Sequence, residues 1–173
     1  KNVAPIRKEL AVKTFFNMLG PMVNPAFPKN QMVGVFNLEL ARMYGYLYQN
    51  TDKNFTVLHA LDGYDEISLT GNTKTISNFT EAMLKPSDFG VQPVTMDQIA
   101  GGESIEASAQ IFIDILQGKG TEAQNNVVCA NAGIAIATVE NLSPIQGFEK
   151  AKEALLSGKG LVALKKLQAL SAL

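Results

Sequence analysis

The stretch from Phe55 to Glu66, Phe-Thr-Val-Leu-His-Ala-Leu-Asp-Gly-Tyr-Asp-Glu, constrains this chain more than any other. An apolar run rich in Val, Leu and Phe stops at a glycine and the carboxylates Asp62, Asp65 and Glu66. Its length and turn-like flank predict a buried strand. Gly63 reaches backbone angles closed to other residues, so the chain can turn there. In a regular strand neighbours point to opposite faces. Asp65 and Glu66 can therefore reach one ion only from irregular backbone beyond the strand. In open α/β sheets ligands bind at the carboxyl ends of strands. Two hard oxygen donors there suit Mg²⁺, which takes one or two protein carboxylates plus water and substrate phosphates. An acidic surface turn has the same composition.

Upstream of this stretch the pattern is helix, loop, strand, helix. Val12, Phe15, Phe16 and Leu19 form one apolar stripe and predict a helix over 5–19, with Pro5 in its first turn and Gly20-Pro21 as its stop. Arg7 and Lys8 near its start read either as solvated charges or as part of an anion site. Residues 22–28 are a proline-punctuated loop. Residues 31–36 read as a strand, and Asn37 as the N-cap of a helix over 38–48 with the stripe Leu40, Met43, Tyr44 and Leu47. With the strand at 55–60 this is a strand-helix-strand unit, which predicts two parallel strands and a right-handed crossover.

Downstream, two short β-prone runs around Gly71-Asn72 predict a hairpin over 67–76. Residues 80–85 fit either a helix or a third strand, and 86–90 read as a turn. Four helices follow. The first has the stripe Ile105, Ala109, Phe112, Ile113 and Leu116, and the second, over 121–139, is apolar on all sides from Val127 and is expected to be buried on both faces. The others cover 144–156 and 161–170. Asn131 inside the second needs partners, because an unpaired buried amide is costly. Gly118-Lys119-Gly120 and Gly158-Lys159-Gly160 lack Walker spacing and follow helices, so they read as caps.

Composition narrows the function classes. The 173 residues are 46% hydrophobic and 18% charged, with a formal net charge of −1. No basic excess points to nucleic acid and no run is long or apolar enough for a membrane span. A single cysteine, Cys129, excludes an internal disulfide and fits a reducing compartment, so the cytoplasm is expected. Its Val-Val-Cys-Ala setting reads as a small buried hydrophobe. The single His59 cannot build a zinc site, and a packed histidine is the default, with a substrate contact left open. The start at Lys1-Asn2-Val3, without an initiator Met, reads as a cut.

Several stretches resemble the anthranilate phosphoribosyltransferase family: residues 7–21 (Arg-Lys-Glu-Leu-Ala-Val-Lys-Thr-Phe-Phe-Asn-Met-Leu-Gly-Pro), Asn24-Pro25-Ala26, Val57-Leu58-His59-Ala60 and Asp62-Gly63-Tyr64-Asp65-Glu66. The likeness continues through Pro86-Ser87-Asp88-Phe89-Gly90 and Asn131-Ala132 to Ser157-Gly158-Lys159, so it covers essentially the whole chain. Ala11 and Ala60 stand where the family pattern usually has glycine, and Tyr64 where it has leucine.

The resemblance implies an α/β fold with a mixed, partly parallel sheet and flanking helices. Residues 1–50 would carry helices of a small helical domain and 51–173 the C-terminal part of the α/β domain. It implies transfer of the phosphoribosyl group of phosphoribosyl pyrophosphate to anthranilate in tryptophan biosynthesis, with Mg²⁺. Asp65 and Glu66 would ligate the metal, Arg7 would face the anthranilate carboxylate, and Gly20 would line the anthranilate tunnel. The family's glycine-rich pyrophosphate loop and N-terminal helices precede the first residue here, so the chain corresponds to the C-terminal half, a fragment expected to be inactive alone. The intact enzyme is expected to form homodimers through the helical domain. A pyrimidine nucleoside phosphorylase-like enzyme and a non-catalytic homologue of the same fold are the alternatives.

Overall fold

A computed structural model describes residues 16–171 of the chain. Its elements in order are α1 (Phe16–Leu19), β1 (Asn30–Gly34), α2 (Leu38–Gln49), β2 (Asn54–Ala60), β3 (Thr73–Ser77), β4 (Glu81–Leu84), α3 (Ile105–Leu116), α4 (Glu122–Glu140), α5 (Pro144–Leu156) and α6 (Lys159–Ser171). The predicted helix over 5–19 lies outside the described residues except for its end, where α1 leads into a 3-10 turn at Gly20–Met22.

The four strands form one sheet in the order β1-β2-β3-β4. β1 and β2 are parallel, as the strand-helix-strand pattern predicts, with Val33 opposite Val57. β3 runs antiparallel to β2, with Ile76 opposite Val57 and Ala60 opposite Thr73. β4 runs antiparallel to β3. The mixed α/β fold class is therefore as expected. The predicted hairpin over 67–76 is not: residues 67–70 are irregular, and the hairpin is β3–β4, turning at 78–80. The ambiguous segment 80–85 contains a strand, β4, at Glu81–Leu84.

β2 explains the layering. From Phe55 to Ala60 every residue is buried. Its side chains alternate between two cores, as the period of a strand requires. Phe55 and Val57 join Val33, Val35, Leu40, Ala41, Tyr44, Tyr48 and Ile76 on the α2 side. Leu58 joins Ile67, Leu69, Phe89, Ile115, Cys129, Ala130, Ile134, Phe148, Ala151 and Leu155 on the side of α3, α4 and α5. Thr56 faces the second side too, where its hydroxyl meets that of Thr138 on α4 at 2.7 Å.

Asn37 caps α2, its Oδ1 accepting the Leu40 N–H at 2.8 Å. The buried face of α2 is Leu40, Ala41, Tyr44, Gly45 and Tyr48, whereas Met43 and Leu47 of the expected stripe are exposed. The helix is rolled toward the sheet where Gly45 passes Ile76: a Cβ on Gly45 would stand 2.9 Å from Ile76 Cγ2. α3 departs similarly. Ile105 and Phe112 are exposed and only Ile115 is buried, because the helix touches the body at its end.

α4 packs chiefly on α5 through small residues. A Cβ on Gly147 would fall 2.2 Å from the Gly133 carbonyl oxygen, so the backbones nearly touch. Burial on both faces of α4 is not found: Cys129, Ala130, Gly133, Ile134 and Ala137 are buried, while Val128, Ala132 and Val139 are exposed. Cys129 is buried as expected, and burial pushes its thiol pKa up. Gly118 and Gly158 take left-handed angles, φ 76° and 73°, just beyond α3 and α5, as helix caps do. Among the described residues no helix is long and apolar enough to cross a membrane.

Candidate functional site

The predicted site lies at the carboxyl ends of the parallel pair β1 and β2, in the loop 61–72 that joins β2 to β3. The loop begins with a tight turn. Gly63 sits at φ 103°, its N–H donates to the Ala60 carbonyl at 3.0 Å, and Ala60 N–H donates to the Tyr64 carbonyl at 2.9 Å. Leu61 N–H donates to the Asn72 carbonyl at 2.9 Å, closing the two ends of the loop on each other.

Asp65 and Glu66 are exposed and stand on irregular backbone, as the adjacency argument requires. Neither carboxylate has a hydrogen-bond or ion-pair partner among the described residues. Asp62, the first acid of the stretch, is spent differently. It accepts from the Ser68 hydroxyl at 3.2 and 3.3 Å and from the Thr70 hydroxyl, so it braces the loop against itself. Among the described residues no group of three or more His, Cys, Asp or Glu side chains converges. The donor set at the loop is two carboxylates without a partner among the described residues. That fits Mg²⁺, which fills its remaining positions with water and phosphate oxygens, and does not fit zinc.

After Glu66 the loop dives into the protein. Ile67 and Leu69 are each 1% exposed and plant their side chains in the α3–α5 core. Their i, i+2 spacing looks like a strand in sequence, but there is no ladder here. Asn131 of α4 supplies the pairing instead. Its Oδ1 accepts the Ile67 N–H at 2.9 Å and its Nδ2 donates to the Ile67 carbonyl at 2.8 Å and to the Val127 carbonyl at 3.0 Å. Asn131 is half-buried, and the partners its amide demanded are the backbone of the residue after Glu66 and the Val127 carbonyl of its own helix. Leu69 takes φ 58°, a left-handed angle costly for leucine. Burial of its side chain and a hydrogen bond from Val94 N–H to the Leu69 carbonyl at 3.0 Å hold it there.

β1 shapes the other side of the loop. A Cβ on Gly34 would stand 1.6 Å from the Asp65 carbonyl oxygen, so only glycine lets the acidic loop fold over the end of β1. Sequence reasoning passed over Gly34, although glycine inside a strand is a signal of close backbone approach. His59 is buried beside it. Its Nδ1 lies 2.8 Å from the Val35 carbonyl, which can only accept, so Nδ1 carries a proton and latches the end of β1 to β2. The packed reading of His59 therefore holds.

Gly20 is exposed in its 3-10 turn, and among the described residues nothing stands within 4 Å of where a Cβ would go. Arg7 lies outside the described residues. The structure thus brings Asp65 and Glu66 together with Gly34, Asp62 and Asn131.

A curated anthranilate phosphoribosyltransferase of Flavobacterium psychrophilum is 78% identical to this chain over 99% of its length, which is 52% of the relative's own length. The Saccharomyces cerevisiae anthranilate phosphoribosyltransferase in complex with PRPP and Mg superposes with a TM-score of 0.86 at 26% identity, covering 99% of this chain and 50% of that one. A variant of the same yeast enzyme in complex with 4-fluoroanthranilate superposes with a TM-score of 0.88 at 25% identity, covering 99% and 51%. The chain thus spans about half the length of the relatives it matches. The family described as "Glycosyl transferase family, a/b domain" matches residues 1–161, and the chain belongs to it.

Proposed function

We infer that this chain is the C-terminal half of an anthranilate phosphoribosyltransferase, which transfers the phosphoribosyl group of phosphoribosyl pyrophosphate to the amine of anthranilate. The observation that carries the reading is the pair of carboxylates, Asp65 and Glu66, without a partner among the described residues and raised on irregular backbone at the carboxyl ends of two parallel strands. Similarity to a curated enzyme of that name at 78% identity supports it.

In this reading Asp65 and Glu66 hold Mg²⁺, which when bound neutralises charge developing on the pyrophosphate leaving group. Ile67 and Leu69 anchor the loop and Asp62 stiffens it, so the two carboxylates are presented without reorganisation. Arg7 pairs with the anthranilate carboxylate and Gly20 leaves room for the acceptor ring. The acceptor amine needs positioning more than activation, and fixed geometry alone can be worth about 7–11 kcal/mol of barrier. The pyrophosphate cradle belongs to the other half of the protein, and the dimer contact to the helical domain, to which this chain contributes the elements before residue 50. A division near residue 50, with helical-domain elements before it and the α/β part after it, is a proposal of the same kind. Limited proteolysis tests it, against the packing of α2 in one core with β2.

The test is phosphoribosyl transfer by a full-length transferase carrying this chain. Transfer should require Mg²⁺ and be abolished by Asp65→Asn with Glu66→Gln, while the 173-residue chain alone should show none. Full activity in the double variant, or turnover by the isolated chain, would refute the reading. Arg7→Ala should raise the anthranilate KM by about one to two orders of magnitude, the worth of a charge-assisted hydrogen bond, with little change for phosphoribosyl pyrophosphate. An unchanged anthranilate KM would remove Arg7 from the site.

A further inference from the structure

We propose that Asn131 is a positioning residue that sets the metal affinity of the acidic loop; the proposal rests on the reading of Asp65 and Glu66 as Mg²⁺ ligands. Asn131 touches neither carboxylate. It grips the backbone of Ile67, one residue beyond Glu66, from both sides at once, at 2.9 and 2.8 Å. A carboxamide has one acceptor and two donors on a planar group, so it satisfies both polar groups of one peptide residue as a neighbouring strand would. A third bond, to the Val127 carbonyl at 3.0 Å, fixes the side chain to its own helix. The loop is thereby referenced to α4, which itself lies backbone-to-backbone on α5 at Gly133 and Gly147. Glu66 is one peptide from this grip and Asp65 is two. Asp65 is limited on its other side by the close approach of Gly34.

The consequence is energetic. Two adjacent carboxylates can ligate one ion only while the backbone between them stays irregular. Mg²⁺ demands near-octahedral geometry and tolerates little spread in its ligands. A loop freed at Ile67 samples arrangements in which one carboxylate points away, and binding must then order it again. Removing Asn131 should therefore weaken Mg²⁺ without touching the acceptor site.

Asn78 provides the control. It makes a similar two-sided grip on backbone at the opposite end of β2 from the acids. Its Oδ1 accepts the Phe55 N–H at 2.6 Å and its Nδ2 donates to the Lys53 carbonyl at 2.7 Å. Loss of a structural carboxamide alone is common to both variants, and loss of loop positioning belongs to only one.

The experiment compares Asn131→Ala, Asn131→Asp and Asn78→Ala in a full-length transferase, at a temperature where each is folded. Two quantities are read: the Mg²⁺ concentration for half-maximal transfer, and hydrogen–deuterium exchange of the amides of residues 64–69 without metal. Asn131→Ala should raise the Mg²⁺ requirement about tenfold and speed loop exchange by a similar factor, leaving the anthranilate KM unchanged. Asn131→Asp keeps an acceptor for the Ile67 N–H but sets a carboxylate oxygen against the Ile67 and Val127 carbonyls, so it should shift both quantities at least as far as Asn131→Ala. Asn78→Ala should lower the melting temperature and move neither quantity. Unchanged Mg²⁺ dependence with unchanged loop exchange in Asn131→Ala would overturn the proposal, as would equal effects from Asn78→Ala. Wild-type transfer that needs no Mg²⁺ would instead overturn the metal reading, while the metal-free exchange comparison still decides whether Asn131 holds the loop.

Discussion

The two ends of β2 are finished by the same chemistry to different effect. At its amino end Asn78 clasps the backbone at Lys53 and Phe55. At its carboxyl end Asn131 clasps the backbone at Ile67. Asn78 sits in the β3–β4 turn and supplements a strand already paired on both sides, to β1 and β3. Asn131 reaches across 64 residues of sequence to a segment that has no ladder at all. The difference teaches what it costs to present two adjacent carboxylates on one side of a loop. Adjacent carboxylates face one ion only if the strand geometry is abandoned, and every backbone group released from the ladder then needs another partner. Here the partners are the Asn131 carboxamide for both polar groups of Ile67, the Ser68 hydroxyl for the Thr70 N–H and the Val94 N–H for the Leu69 carbonyl.

The sharpest way to break this comparison is Gly34→Ala. The new Cβ would stand 1.6 Å from the Asp65 carbonyl oxygen, and neither backbone can move without opening the β1–β2 pair or lifting the loop. Overpacking of this kind costs about 1–3 kcal/mol or more. The expected outcome is a lower midpoint in urea unfolding together with loss of Mg²⁺-dependent transfer. Retention of both would mean that the loop adapts freely.

Asn78→Ala is next. It strands the Phe55 N–H and the Lys53 carbonyl, at about 1–3 kcal/mol for the pair. Unfolding should register that loss while transfer per folded molecule stays at the wild-type rate. A fall in that rate would erase the distinction between the two ends.

Thr70→Val probes the internal brace of the loop. It removes one hydroxyl donor from Asp62 and keeps the shape of the side chain, so about 0.5–1.5 kcal/mol of stability should go. Because Asp62 keeps Ser68, the Mg²⁺ requirement should move less than in Asn131→Ala. A larger shift would make Asp62, not Asn131, the main support.

The smallest effect is expected in the β3–β4 ladder. Lys74 pairs with Glu81 at 2.6 Å, and that hydrogen bond holds the exposed Glu81 carboxyl below its usual pKa. A lowered folded-state value means that the unfolded chain protonates first as the pH falls. The stabilisation is thus present above the ordinary carboxylate pKa and is lost as the pH drops through the folded value. Lys74→Ala should flatten this slight acid-side slope of stability, and solvent screening keeps the change small.

Much of this architecture was legible in the residues. The continuous apolar run at 55–60 marks a strand covered on both faces, and its junction with Asp62, Asp65 and Glu66 marks the candidate site. Asn37 announced the start of α2, and the strand-helix-strand order announced the parallel pair. Other features needed the packed chain. Ile67 and Leu69 alternate like strand residues around a good turn sequence, Gly71-Asn72, yet both side chains are claimed by the α3–α5 core, so the hairpin forms one segment later. Met43 and Leu47 have helical spacing, but the close passage of Gly45 over Ile76 rolls α2 onto Ala41 and Tyr48 instead.

The sequence by itself determined which residues are apolar, where the chain can turn and where two hard oxygen donors stand side by side, because these depend on side-chain chemistry and local backbone freedom. Only the tertiary structure decided that Gly34 clears the path of the loop and that Asn131 grips it. Both are contacts between segments far apart in the chain, and nothing in their local spacing records which backbone will come within a few ångströms.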